Sequence, residues 1–189
     1  METMTGRVKS ILLQPRATWK EIDAEFTKPA ELWGKYILPL AAIGPIASTI
    51  GMVLFGQRIA FTSLTNPVPL STAITRGVAA YVLALISVFV VTQLISLLAP
   101  GFGGQKNDVQ ALKAAAYSST AAWIGGVFGL IPALGIVSLI FLLYSLYLLY
   151  VGLPIVMKVP QDRAMGYTAV VIIGYIVVFL IIGAVLSAF

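Results

Sequence analysis

The 189-residue chain contains no cysteine and no histidine, and only 10% of its residues are charged. The first absence removes disulfides, thiol nucleophiles and Cys/His zinc sites. The second removes imidazole acid–base chemistry. Acids are the scarcest charge, and all seven lie outside the long apolar runs: Glu2, Glu21, Asp23, Glu25 and Glu31 near the N-terminus, then Asp108 and Asp162. Proton-coupled transport and intramembrane hydrolysis normally need ionisable groups at depth, where their cost makes them conspicuous. Nor is there a nucleophile–base pair, a metal-ligand spacing or a phosphate loop. No catalytic, cofactor-binding or metal-binding residue is assigned, and the chain reads as non-enzymatic. Glu21, Asp23 and Glu25 are close enough to gather on a cation, but with Lys20 and Lys28 beside them they read as a solvated charged surface.

What remains is apolar. Hydrophobic residues make up 59% of the chain, and its mean hydropathy is +0.98. A soluble domain of this size needs a charged, wettable exterior, so the solvent here is lipid. Five apolar runs follow one another: Tyr36–Phe55, Gly77–Leu98, Tyr117–Leu134, Ile136–Val156 and Tyr167–Phe189. Each holds about 20 uncharged residues, enough at ~1.5 Å per residue to cross a hydrocarbon core of about 30 Å. Pro132 and Gly135 mark a tight αα-hairpin between the third and fourth runs. The expected fold is all-α and polytopic: residues 1–35 form an N-terminal cytoplasmic or interfacial segment, and 36–189 form a five-helix transmembrane domain.

Ten of the twelve Lys and Arg residues fall before the first run, between runs two and three, or between runs four and five; only Arg58 and Arg76 lie on the other side. This bias explains the net charge of +5 without any nucleic-acid partner. It places the N-terminus in the cytoplasm and the C-terminus outside. The first 35 residues contain no continuous apolar stretch of a signal peptide.

The N-terminal segment is organised. Val8, Ile11 and Leu12 share a helical face beside Arg7 and Lys9, reading as a short amphipathic helix on an anionic leaflet, stopped by Pro15. Thr18 and Glu21 have capping-box spacing. Trp19 and Ile22, three apart, read as an interfacial anchor; the sharper reading is a docking surface for a cytosolic or membrane partner.

Polar content within the runs is mild. Gln93 should face a neighbouring helix that pairs its amide, and Gly125 and Gly129 make a GxxxG step. That step reads as close packing inside one subunit, with homo-oligomerisation through the same face as the other reading. In YSLYLLYVGLPIVMKVP, Tyr144, Tyr147 and Tyr150 form a stripe that should turn towards the bundle or a hydrated crevice. Gly152 should allow close approach, and Pro154 should kink or end the helix near Lys158. With Tyr117, Ser118 and Tyr167, these tyrosines could line a cytoplasm-facing crevice for a lipid or small molecule. An aromatic belt plus packing explains the same residues.

Several motifs together carry a resemblance. They are Pro15-x-x-x-Trp19-x-x-Ile22, Ala116-Tyr117-Ser118, Gly152-Leu-Pro-Ile-Val-Met-Lys-Val-Pro160 and Gly166-Tyr-Thr168. In these the chain resembles the Yip1 domain family in its compact prokaryotic form, over nearly its whole length. Eukaryotic relatives have Asp-Leu-Tyr-Gly-Pro before the first span; this chain has Glu31-Leu32-Trp33-Gly34-Lys35. The resemblance implies five spans and a cytosolic N-terminus, and in eukaryotes partnership with small GTPases. It adds Glu31, Trp33 and Gly34 to Trp19 and Ile22 as a candidate partner surface. The function expected is that of a non-catalytic membrane adaptor or organiser acting through its cytoplasmic face; the alternative is a lipid- or small-molecule-binding or passage protein that uses the tyrosine- and serine-lined crevice without ionisable coupling.

Overall fold

Prolines and side-chain hydroxyls decide where the helices of this chain start and break. The computed structural model describes residues 3–58 and 65–187. Helix α1 spans Met4–Leu13, capped by Thr3, whose hydroxyl accepts from the Gly6 N–H. Helix α2 spans Pro15–Ala24 with Pro15 in its first turn, where a missing N–H costs nothing. The helix therefore begins before the expected capping box. Thr18 lies inside it and donates its hydroxyl to the Gln14 carbonyl at 2.9 Å, while Glu21 pairs with Arg7 at 3.6 Å.

Helix α3 runs from Pro29 to Phe55. It contains a π-helical turn at Trp33–Ile37 and a break at Ala42. Pro39 and Pro45 explain both, because each removes an N–H from the ladder and frees a carbonyl one turn earlier. At this irregularity the Tyr81 hydroxyl donates to the Leu38 carbonyl at 3.1 Å. A two-residue antiparallel ladder follows, Gln57–Arg58 with Thr65–Asn66. Helix α4 is Leu70–Leu98, extended by a 3₁₀ turn to Phe102.

The third apolar run differs from the others. It forms α5 (Asp108–Ser118) and α6 (Thr120–Gly125), then 3₁₀ turns at Gly126–Leu130 and Pro132–Leu134. Ser118 and Ser119 both return their hydroxyls to the Ala115 carbonyl, at 3.2 and 2.8 Å. Such bonds compete with the helical ladder. The Ala122 N–H at the start of α6 donates instead to Ser145 Oγ at 2.8 Å. Helix α7 is Gly135–Val156 and α8 is Gln161–Ser187.

Among the described residues, four helices are therefore long and apolar enough to cross a membrane: Pro29–Phe55, Leu70–Phe102, Gly135–Val156 and Gln161–Ser187. Their outward faces carry exposed Ile46, Val82, Phe89, Leu143, Ile173 and Leu180, the signature of an integral membrane protein. α5 and α6 fill the interior. Every residue from Ala111 to Ala121 is buried, and small side chains let α4, α7 and the N-terminal hairpin pack around them. The 3₁₀ turn Gly126–Leu130 lies along the second half of α3. A Cβ on Gly126 would stand 2.7 Å from the Gly44 Cα, and one on Gly51 would stand 2.5 Å from the Leu130 carbonyl. The GxxxG step thus packs internally: Gly125 lies against Phe141, and Gly129 against Ser48.

The α1–α2 hairpin packs its apolar face into the bundle. Ile11, Trp19 and Ile22 belong to one hydrophobic cluster with Ile95, Tyr117, Leu148 and Leu153. Trp19 lies directly on Gly152, where a Cβ would overlap the indole. The expected close approach at Gly152 is therefore made by a side chain from α2. Pro154 stands in the last turn of α7. Lys158 then adopts a left-handed φ of 55°, and the Val159 N–H returns to the Pro154 carbonyl at 3.2 Å, a Schellman-type stop made with lysine where glycine is usual.

Gly152→Ala should lower the melting temperature in detergent, by the equivalent of about 1–3 kcal/mol for an overpacked contact. Trp19→Phe, with its smaller ring, should rescue part of that loss in the double variant. Additive losses would mean that the two residues do not share the contact.

Candidate functional site

The polar chemistry of the molecule gathers at one end, where the hairpin meets α5. Helix α2 ends with orphan carbonyls, as every helix does. Lys113, 2% exposed, reaches from α5 and donates from Nζ to the carbonyls of Ile22 at 2.8 Å and Glu25 at 2.6 Å. A cation at the negative end of a helix is favourably placed. Gln110, one turn before it, donates to the Asp23 carbonyl at 3.1 Å.

Arg7 is the second buried cation. It pairs with Glu25 and Glu21, and its guanidinium stands 5.9 Å from the centre of the Tyr117 ring. Asp23 pairs with Lys158. The three acids Glu21, Asp23 and Glu25 are thus divided between Arg7 and Lys158, and both cations tie the hairpin to itself or to the α7–α8 turn.

Beside this network opens a cleft of about 690 Å³, bounded by α1, the loop after α2 and the start of α3. Arg7, Tyr36 and Tyr117 form its buried floor, and Glu25, Lys28, Glu31 and Lys35 its charged rim. The Tyr36 and Tyr117 rings meet edge-on, 4.8 Å apart at 63°. The Tyr36 hydroxyl is hydrogen-bonded to Thr120 at 2.8 Å, which holds this floor rigid. Phe26, 90% exposed, stands at the mouth. The cleft therefore offers an aromatic floor, both signs of charge and an apolar handle.

The structure divides the residues expected to form a partner surface. Trp19 and Ile22 have no exposed surface; a partner cannot touch them, because the hairpin packs into the bundle and buries its apolar face. Glu31 lines the cleft, Trp33 is half-buried and Gly34 is exposed beside it.

The expected crevice does not form as one space. Tyr117 and Ser118 are buried beneath the hairpin. Tyr167 is buried elsewhere, against Phe102 and bonded to the Ile95 carbonyl at 2.7 Å. Tyr144 donates to the Leu12 carbonyl at 2.7 Å. Tyr147 and Tyr150 point away from the bundle, 40% and 49% exposed. The buried face of α7 is instead that of Ser145, Leu148, Leu149, Gly152 and Val156, which are offset from the tyrosine stripe. Gln93 is half-buried, and no neighbour takes up its amide among the described residues, contrary to its expected pairing.

Sequence reading missed Arg7, Phe26, Tyr36 and Lys113. Lys113 had a signal: it is the one charge in the stretch ALKAAAYSST, whose small side chains suit a helix packed on all sides.

Replacing Lys113 by Met strands two carbonyls and should cost about 1–3 kcal/mol. Melting temperature in detergent checks this, and an unchanged value for Lys113→Met would contradict the buried-cation account.

The elements assembled at this end carry the motifs picked out in the sequence. Trp19 sits on Gly152, Tyr117 shares the cleft with Glu31, and Lys158 reaches Asp23. A family model described as the Yip1 domain matches residues 9–183, from the hairpin to near the end of α8. No curated protein and no solved structure matches the chain. With nearly its whole length covered, the chain belongs to the Yip1 domain family.

Proposed function

We propose that this protein is a non-catalytic, five-pass adaptor or organiser of a bacterial inner membrane, which engages a protein partner through the cleft on its cytoplasmic face. The observation that carries the reading is the convergence of Glu31 and Tyr117, from two separate family motifs, on one cleft with a rigid aromatic floor. An exposed Phe26 beside mixed charges suits recognition of a protein surface better than chemistry on a small substrate.

Five passes are supported by the course of residues 108–130. They begin beside the hairpin, where Gln110 and Lys113 bond α2, and end beside the far half of α3, where Gly129 and Leu130 meet Ser48 and Gly51. At ~1.5 Å per residue this helical path is roughly 35 Å long, enough to traverse the bundle. Its breaks lie inside protein, where Ser145 and neighbouring carbonyls satisfy the freed groups. The bias of basic residues orients the cleft end to the cytoplasm and the C-terminus outside.

The absence of native cysteine makes both parts testable. With Phe26→Cys or Ala133→Cys as the only thiol, an impermeant maleimide should label Ala133→Cys on intact cells and Phe26→Cys only in inside-out vesicles. Labelling of both from the same side would overturn the five-pass arrangement. A photocrosslinker at position 26 should capture a soluble protein, and Glu31→Lys should abolish capture while leaving the melting temperature unchanged. Capture that ignores Glu31→Lys, or that yields lipid alone, would overturn the adaptor reading.

A further inference from the structure

A second groove lies on another flank of the same end. It has a volume of about 420 Å³ and runs where the ends of α2, α7 and α8 meet. Its walls are Tyr150, Val151, Pro154 and Ile155 on α7 and Ala164 and Met165 on α8. Arg16 and Lys20, one turn apart on the outer face of α2, stand over it. The neighbouring acids are already engaged: Glu21 and Glu25 with Arg7, Asp23 with Lys158, and Asp162 with Arg163 at 3.8 Å. Neither Arg16 nor Lys20 has a carboxylate partner among the described residues. The groove opens outward, since Tyr150 is half exposed and Met165 is 72% exposed.

We infer that this groove binds one anionic phospholipid of the adjoining leaflet, with its phosphate between Arg16 and Lys20 and an acyl chain against the α7–α8 floor. Two cations without a carboxylate partner among the described residues, above an apolar trough, match the layout of such a lipid and of few soluble ligands. Arg and Lys bind a phosphate oxygen by charge-assisted hydrogen bonds, and the Tyr150 hydroxyl sits at the depth where headgroup meets hydrocarbon. Lys28 and Lys35 differ: both pair with Glu31, at 3.9 and 3.3 Å. The inference assumes the cytoplasmic orientation proposed above only for the identity of the leaflet; the binding site itself does not depend on it.

Native mass spectrometry of the detergent-solubilised full chain, titrated with dioleoyl phosphatidylglycerol or dioleoyl phosphatidylcholine, tests the inference. Wild type should retain phosphatidylglycerol in preference. Arg16→Gln with Lys20→Gln should weaken that binding by about 30-fold, at about fivefold per basic residue, and remove the preference. Lys28→Gln with Lys35→Gln, which removes equal charge from the other cleft, should leave it intact. Ala164→Leu, which fills the floor, should weaken both lipids. Glycerol phosphate should not compete at concentrations where the whole lipid does. Equal retention of the two lipids, equal loss in both double variants, or full competition by glycerol phosphate would each overturn the inference.

Discussion

A lysine ammonium buried at the end of a helix holds this structure in register. Lys113 has almost no contact with solvent and spends its donors on the carbonyls of Ile22 and Glu25. An unpaired charge there would be very costly, so Lys113 and the hairpin require one another. Once α2 is fixed on α5, Trp19 is delivered onto Gly152, Arg7 onto Tyr117, and Asp23 towards Lys158. The cleft is what remains between the fixed hairpin and the start of α3. A segment that reads as peripheral in the sequence is thus the keystone of one end of the bundle.

Much of the architecture was legible because the physics behind it is coarse. Apolar runs of membrane length gave the four long helices, and Pro132 with Gly135 marked the break before α7. The end of α7 near Lys158 was expected from Pro154, but the helix runs past that proline and the left-handed Lys158 makes the stop. Boundaries were less legible: α4 starts at Leu70 and α8 at Gln161, several residues before the apolar runs, because helices project beyond hydrocarbon. The third run hid its nature, since hydropathy does not reveal that Ser118, Ser119 and Thr120 spend hydroxyls on local carbonyls and neighbouring helices.

The site was legible only in fragments. Glu31 and Tyr117 were singled out separately, and nothing in their spacing says that they share a cleft. Trp19 and Ile22 illustrate a real ambiguity: an apolar stripe on a short helix has the same pattern whether it meets lipid, a partner or its own bundle. The tyrosine stripe failed for a related reason. Spacing places Tyr144, Tyr147 and Tyr150 near one face, but the bundle claims the face beside it, where Ser145, Leu148 and Gly152 are small or apolar enough to pack. Only Tyr144, at the edge, reaches back to the hairpin.

The buried segment α5–α6 has a consequence for how the protein is made. Its alanines, serines and threonines gain little from lipid, so the insertion machinery has weak reason to release it sideways into the bilayer by itself. Synthesis delivers α3 and α4 first, and these already offer the groove in which Gly126 meets Gly44. The strongly apolar α7 follows after only a few residues. Folding then favours docking of the third segment together with α7 into a preformed cradle, and late closure by the α1–α2 hairpin. The α1–α2 hairpin cannot complete its docking until Lys113 emerges, nearly a hundred residues after Ile22.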